Sequence, residues 1–350
     1  MTAIAGAPEV PATIEALLDP DWLTAALGMR FPGVHVVGVT RGPVVERLST
    51  NARFRIECEG SLPAGLVPTL CAKGYFSELG RPIAHIGEAE AGFYRDLAAL
   101  SGVHTLRSVY ADVHPETRHG VVITEDVIEA GGVFLDALSP YTPDQVAESL
   151  VELARLHAST WGDVGRASVP WLAPRLRTYF EQRGEKEIRK NFEGPPGRDV
   201  PDDVRVPARL LDAFRTLAAR EPGHGWAVIH GDAHVGNLFL DAGGRPGLVD
   251  WQIVQYGHWS TDVGYHIASA LDPEPRRAHE RDLLTQYLDA LAGFGVEPPG
   301  FDDAWTDYRR GVAYGLFMWA ITLYVQPDII ETLVRRLGIA AHDLDSYGAL

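Results

Sequence analysis

Cysteine is almost absent from this chain: Cys58 and Cys71 are the two in 350 residues. Two thiols make no disulfide framework, so the fold must rest on its core, and a reducing cytosol is the expected home. Lysine is nearly as scarce. Only Lys73, Lys186 and Lys190 occur, and arginine carries the remaining positive charge. Bases as a class are outnumbered, 31 Lys and Arg against 47 Asp and Glu, for a formal charge of −16. That balance argues against nonspecific attraction to nucleic acid or anionic membranes. It suits a cationic ligand, although an acidic surface is also a common route to solubility. No uninterrupted apolar run approaches the length that spans a bilayer. The opening Met1-Thr2-Ala3-Ile4-Ala5 lacks the positive region of a secretion signal. Internal repeats and long low-complexity segments are missing too.

What is present is an ordinary hydrophobic content, 46%, in a chain long enough for two compact units or one large bilobal one. Helical spacing of Ile14, Leu17, Leu18, Trp22, Leu23 and Leu27 marks 11–28, with Pro20 dividing it into two short helices. Strands are expected at 34–39, 53–57 and 66–71, then at 106–111 and 120–124, with a helix at 86–100 between the two groups. Their alternation and the Gly/Pro separators suggest an antiparallel sheet. Thr142-Pro143 is a helix start. That helix should run to about 161 with Leu150, Leu153, Ala154, Leu156 and a packed His157 facing the core. Further helices are expected at 172–193 and 204–220, separated by Gly194-Pro195-Pro196-Gly197, and at 261–271, 275–295, 302–325 and 328–346.

Chemistry concentrates in His230-Gly231-Asp232-Ala233-His234-Val235-Gly236-Asn237, followed by Gly247-Leu248-Val249-Asp250. Short apolar runs on either side read as strand, loop, strand, turn, strand. Asp232 and Asn237 then lie on a loop and Asp250 just past a strand end. Such a loop suits phosphoryl transfer, which needs positioning and charge neutralisation more than covalent help. One carboxylate must hold the attacking hydroxyl and accept its proton, the role for Asp232. A second acid and an amide oxygen must hold Mg²⁺, which prefers hard oxygen ligands, the role for Asp250 and Asn237. His230 and His234 stand four apart, a zinc spacing only on a helix. The glycines and flanking strands argue against one, so both histidines are expected to brace the loop.

The string His-Gly-Asp-Ala-His-Val-Gly-Asn with Val-Asp-Trp-Gln resembles the aminoglycoside-phosphotransferase-like kinases. Asp250-Trp251-Gln252 and Asp262-Val263-Gly264-Tyr265 are most similar to their ecdysteroid-kinase-like and choline-kinase-like branch. The resemblance implies an α+β, bilobal protein-kinase-like fold. A small antiparallel-sheet lobe, 1–127, would bind nucleotide. A larger, mainly helical lobe, 128–350, would carry the catalytic loop and a substrate-binding insertion at about 165–222. It further implies ATP and Mg²⁺, and a small-molecule alcohol as acceptor: aminoglycoside, macrolide, amino alcohol, sugar or steroid-like alcohol.

Several residues take roles from that resemblance. Lys73 contacts the α and β phosphates and pairs with a helix glutamate. Glu90 is chosen over Glu88 because Glu90-Ala91-Gly92-Phe93-Tyr94 resembles the family's Glu-x-x-Phe-Tyr pattern. Ser49, Thr50 and Asn51 fall in the phosphate-covering loop, where hydroxyls replace the usual glycines. Backbone groups near Glu125 and Val127 hold the adenine edge at the hinge. Asp262 braces the catalytic loop. Tyr256, His258, Trp259 and Tyr265 are candidates for a substrate pocket or, more ordinarily, for the core. A protein substrate is disfavoured by Gly231 before Asp232 and by the short segment from Asp250 to Asp262. The alternative from another class is an inactive pseudokinase serving as a nucleotide-binding or scaffolding module.

Overall fold

The computed structural model describes residues 7–162, 169, 171–176 and 184–350. Two short helices come first, split where Pro20 forbids continuation. The Thr13 side chain caps Ile14–Leu17 and that of Asp19 caps Pro20–Gly28. Each cap oxygen accepts N–H groups that the helix itself leaves unpaired.

Five strands follow: β1 Val36–Glu46, β2 Thr50–Cys58, β3 Thr69–Gly74, β4 Ser108–Val113 and β5 Gly120–Glu125. They form one sheet in the order β1-β2-β3-β5-β4, antiparallel at every pairing. Alternation along each strand gives the sheet two faces. Phe54, Ile56, Leu70, Ala72, Val121 and Ile123 pack with Leu17, Leu23 and Leu27 of the opening helices. On the opposite face Asn51 stands across from Lys73, Lys73 across from Val122, and Arg53 across from Cys71.

Between β3 and β4, helix Gly87–Gly92 continues through a π turn at Phe93–Leu97 into Ala98–Ser101. It approaches β5 so closely that a Cβ on Gly120 would lie 2.1 Å from the Gly87 carbonyl oxygen. Ala91, Phe93 and Leu97 of this helix belong to the apolar cluster of the larger, C-terminal part. The helix is therefore a joint between the sheet and the rest of the molecule.

The C-terminal part is mainly helical. Pro143–Ala158 starts with a reciprocal Thr142/Gln145 capping box. Glu185–Glu193, Pro207–Ala219, Ser260–Ala270, Pro273–Gly293, Phe301–Ala320 and Pro327–Asp343 complete it. Its short strands are β6 Val133–Phe134, β7 Trp226–Ile229, β8 Leu238–Leu240, β9 Pro246–Leu248 and β10 Gln255–His258, paired as β6-β8-β9 and β7-β10. The fold is α+β and protein-kinase-like, as the motifs implied.

Two expected helices differ. The one at 172–193 is observed as Glu185–Glu193; Leu172–Arg175 is irregular, and 177–183 lie outside the described residues, as does part of the 165–222 insertion. The one at 302–325 stops at Ala320, because Asn191 Nδ2 donates to the carbonyls of Ala320 and Thr322, each at 2.8 Å. A buried amide satisfying the last carbonyls ends a helix without a glycine. Among the described residues no helix is long and apolar enough to cross a membrane.

Candidate active site

Everything in the site hangs on the loop His230–Asn237 that leaves β7. Gly231 has φ +82°, and a Cβ there would lie 2.6 Å from the Ile253 carbonyl oxygen, so no side chain fits. Asp262, fully buried at the start of Ser260–Ala270, accepts the N–H of His230 at 2.7 Å and of Gly231 at 2.8 Å. His157 Nε2 donates to the same carboxylate at 3.1 Å, with the Tyr287 hydroxyl 2.8 Å from its other ring nitrogen. Burial works against the Asp262 charge, but the His157 bond and charge and the Gly231 N–H outweigh it and hold the pKa below the ordinary carboxylate value. His230 Nε2 donates to Val249 O at 2.8 Å, and its Nδ1 accepts the Asp232 N–H at 3.2 Å. His234 Nδ1 accepts the Gly236 N–H at 3.1 Å. Both histidines brace the loop, and among the described residues no cluster of three or more metal-ligating side chains forms.

Asn237 turns back on the loop. Its Nδ2 donates to Asp232 O at 2.8 Å and to Asp232 Oδ2 at 3.1 Å, so its amide nitrogen is spent within the protein and its oxygen is the group left for a ligand. Val249 N–H donates to Asn237 O at 2.9 Å, which brings Asp250, the next residue, alongside. Asp250 itself sits at φ 65°, in left-handed backbone that costs a non-glycine residue roughly 1–3 kcal/mol.

Across from this loop stands Lys73 of β3. Its Nζ lies 2.7 Å from Glu90 Oε2 and 2.9 Å from Asp250 Oδ1. Burial alone would lower the Lys73 pKa, but the charges of Asp250 and Glu90 raise it well above the usual value. Asp250 is held low: burial opposes its charge and the Lys73 ammonium more than compensates. Glu90 is raised, burial outweighing Lys73. One cation facing two carboxylates leaves the cluster with excess negative charge. Among the described residues, Asp250 Oδ2 has only a long 3.4 Å contact from Gln252 Nε2. With the Asn237 side-chain oxygen, that makes a pair of hard oxygen donors of the kind Mg²⁺ prefers. The donor set fits that ion.

The two glutamates, adjacent in the helix pattern, separate cleanly. Glu88 turns away to an ion pair with Arg118. Trp251, next to Asp250, stacks on Phe93 of the Glu90 helix with centroids 3.6 Å apart. Its Nε1 donates to Thr105 Oγ1 at 3.0 Å. Phe93 and Trp251 together tie the helix of Glu90 to the strand end of Asp250.

One expectation needs correcting. The stretch 47–51 is not a covering loop throughout; the turn is confined to 47–49 and β2 begins at Thr50. Thr50 is fully buried on the face opposite Lys73, and its hydroxyl bonds to nothing among the described residues. Asn51 shares the face of Lys73 as its cross-strand partner, and Ser49 stays at the turn. At the proposed hinge, Glu125 N–H is used by Arg107 O at 2.9 Å and Val127 O by the Gly132 N–H at 2.8 Å. Val127 N–H has no partner among the described residues.

Other participants escaped the sequence. Arg53, on the Lys73 face of β2, donates to Asp126 Oδ2 at 2.5 Å and to Glu129 at 3.0 Å. Alternation within the expected strand 53–57 sets its face opposite Phe54, but its partners come from the segment after β5 and have no local signal. Tyr265, of the pocket candidates, reaches Asp232, Tyr256 and His258 line a recess with Trp226 and Thr261, and Trp259 is fully buried. Trp319 and Tyr314, from a distant helix, had no local signal at all.

A family model described as "Phosphotransferase enzyme family" matches residues 82–294, a span holding Glu90, Asp232, Asn237, Asp250 and Asp262 but not Lys73. Among solved structures, a Ralstonia eutropha protein assigned as an aminoglycoside phosphotransferase aligns with TM-score 0.53 at 14% identity, covering 94% of this chain and 98% of its own. The GDP complex of aminoglycoside 2'-phosphotransferase-IIIa aligns with TM-score 0.50 at 14% identity, covering 93% and 99%. At that identity the likeness speaks for fold. Comparison with curated proteins gives no match.

Proposed function

Because the chain belongs to the phosphotransferase enzyme family, we propose that it transfers the terminal phosphoryl group of ATP to a hydroxyl of a small molecule. The observation that carries this reading is the Lys73–Glu90–Asp250 cluster facing the Asp232–Asn237 loop. Asp232 holds the acceptor hydroxyl and takes its proton as that oxygen forms its bond to the γ-phosphorus and the bond to ADP breaks. Lys73, oriented by Glu90, holds the α and β phosphates. Asn237 and Asp250 would hold Mg²⁺, which neutralises charge on the phosphate oxygens when bound. Asn51 and Ser49 are the remaining candidates of the turn region, and the hinge backbone at Glu125 and Val127 those for adenine. In this reading 1–127 is the nucleotide lobe and 128–350 the acceptor lobe.

The acceptor is proposed as a small alcohol. Asp232 is flanked by Tyr265 and His234 as well as by Asn237, a surround that mixes aromatic and polar groups and leaves the class of alcohol to the assay. The pseudokinase alternative gains no support, since Lys73, Glu90, Asp232, Asn237 and Asp250 are all present.

The test is ADP release from Mg·ATP against aminoglycosides, macrolides, choline-like amines, sugars and sterols. Release dependent on one class should fall by several powers of ten in Asp232→Asn while ATP still binds. Failure of the chain to bind Mg·ATP would overturn the reading.

A further inference from the structure

Both carboxylate oxygens of Asp232 are held from within the protein. Oδ2 accepts Asn237 Nδ2 at 3.1 Å, and Oδ1 accepts the Tyr265 hydroxyl at 3.1 Å. The Tyr265 oxygen in turn accepts Trp319 Nε1 at 2.5 Å. An indole N–H can only donate. With one donor fixed on its oxygen, the Tyr265 hydroxyl has its single proton directed at Asp232.

The packing leaves the pair no freedom. Tyr265 is fully buried and Trp319 nearly so. A Cβ on Gly315 would lie 2.7 Å from the Tyr265 ring, so this glycine makes the ring's seat. Gly264 and Gly311 let the helices Ser260–Ala270 and Phe301–Ala320 touch; a Cβ on Gly311 would stand 1.9 Å from Ser260 O. Tyr314 meets the Tyr265 ring edge-on at 6.1 Å and donates to Gly231 O at 2.6 Å. His234 meets Trp319 edge-on at 5.3 Å.

We infer that Trp319 and Tyr265 form a one-directional hydrogen-bond relay that positions the Asp232 carboxylate for the acceptor hydroxyl. Neither touches the reacting atoms in this arrangement; both are positioning residues. A buried tyrosine needs some partner for its hydroxyl in any core. What distinguishes this one is that the chain of donors ends on the carboxylate assigned to the acceptor hydroxyl. Burial and the neighbouring Asp232 charge keep Tyr265 protonated far above neutral pH, so it donates throughout and never exchanges roles with the carboxylate.

The relay rests on the kinase reading for its purpose but not for its detection. The first arm uses the ligand-free protein and the indole N–H resonance of Trp319, assigned by its loss in Trp319→Phe. A short bond to Tyr265 places it downfield. Tyr265→Phe should move it upfield. Asp232→Asn should move it too, because a weaker acceptor for the Tyr265 proton weakens the oxygen that Trp319 bonds to. An indole signal indifferent to Asp232→Asn would overturn the relay, and this arm stands even if Tyr265→Phe fails to fold.

The second arm is steady-state ADP release with Mg·ATP and the fastest alcohol of the panel. Tyr265→Phe should lower kcat about tenfold, and Trp319→Phe by less, with both KM values within about twofold. The double variant should be no worse than Tyr265→Phe alone, since both act through one bond. Independent, multiplying losses, or a loss confined to KM, would refute the inference. If no alcohol of the panel turns over, the resonance arm still decides the relay, and Mg·ATP binding decides the kinase reading.

Discussion

Asp262→Asn removes one charge and almost no volume, and its consequences can be worked through bond by bond. The wild-type carboxylate accepts His230 N–H at 2.7 Å, Gly231 N–H at 2.8 Å and His157 Nε2 at 3.1 Å, all buried. The amide offers one oxygen, which can take two of these donors, and an NH₂ that faces the third. One buried donor is left unmet, at about 1–3 kcal/mol, and the two retained bonds lose their charge assistance. The sum is about 3–5 kcal/mol, the range seen when one member of a buried pair is removed. Guanidinium unfolding should report that loss. Hydrogen exchange should localise it, protection at His230 and Gly231 falling by roughly two to four powers of ten. The pH dependence has a definite sign. Asp262 is held below its unfolded value, so its contribution is complete above about pH 4 and disappears as pH falls further. Wild type and variant should converge in acid. An unchanged midpoint with Gly231 still protected would show that the loop does not depend on this carboxylate.

Glu90→Gln should cost turnover heavily, about 100-fold, by removing one of the two carboxylates that hold Lys73, while Glu88→Gln, affecting only the partly exposed Arg118 pair, should change it less than twofold; steady-state rates of the two variants decide. Burial, as the largest cause in each, pulls His119 and His266 down to about 4 and His258 to about 3. Each is then neutral when folded and protonated below about 6.5 when unfolded, so stability should be full above that pH and decline as pH falls from it; melting temperatures across about pH 4–8 would test this, and a flat profile would contradict it. Thr50→Val removes a buried hydroxyl that has no partner among the described residues, so stability should hold or rise by about 1 kcal/mol with ATP affinity unchanged by calorimetry; weakened ATP binding would return Thr50 to the proposed phosphate-binding set.

Legibility follows the distance over which a feature is encoded. The strand–loop–strand run around Asp232 was readable because its turns, alternation and spacing are all local. Glu88 and Glu90 show where local reading stops. Two residues apart on a helix they point in opposed directions, but which direction meets Lys73 depends on how the helix lies on β5. Thr50 shows the same in a strand. The sequence expects β2 from 53, which leaves 50–52 outside the strand, and only the register, Asn51 across from Lys73, reveals that Thr50 faces the other way.

By itself, then, the sequence determined the element order, the sheet lobe and helical lobe, and the acids and amide that share one loop and one strand end. These depend on periodicities of two and 3.6 residues and on turn chemistry, which act over a few neighbours. The tertiary structure decided which charges meet. Lys73 and Asp250 are 177 residues apart, His157 and Asp262 105, Tyr265 and Trp319 54. A hydrogen bond acts only near 3 Å and in line, so such partners exist only once helices and strands cross at a particular place and angle, and no spacing along the chain records that crossing.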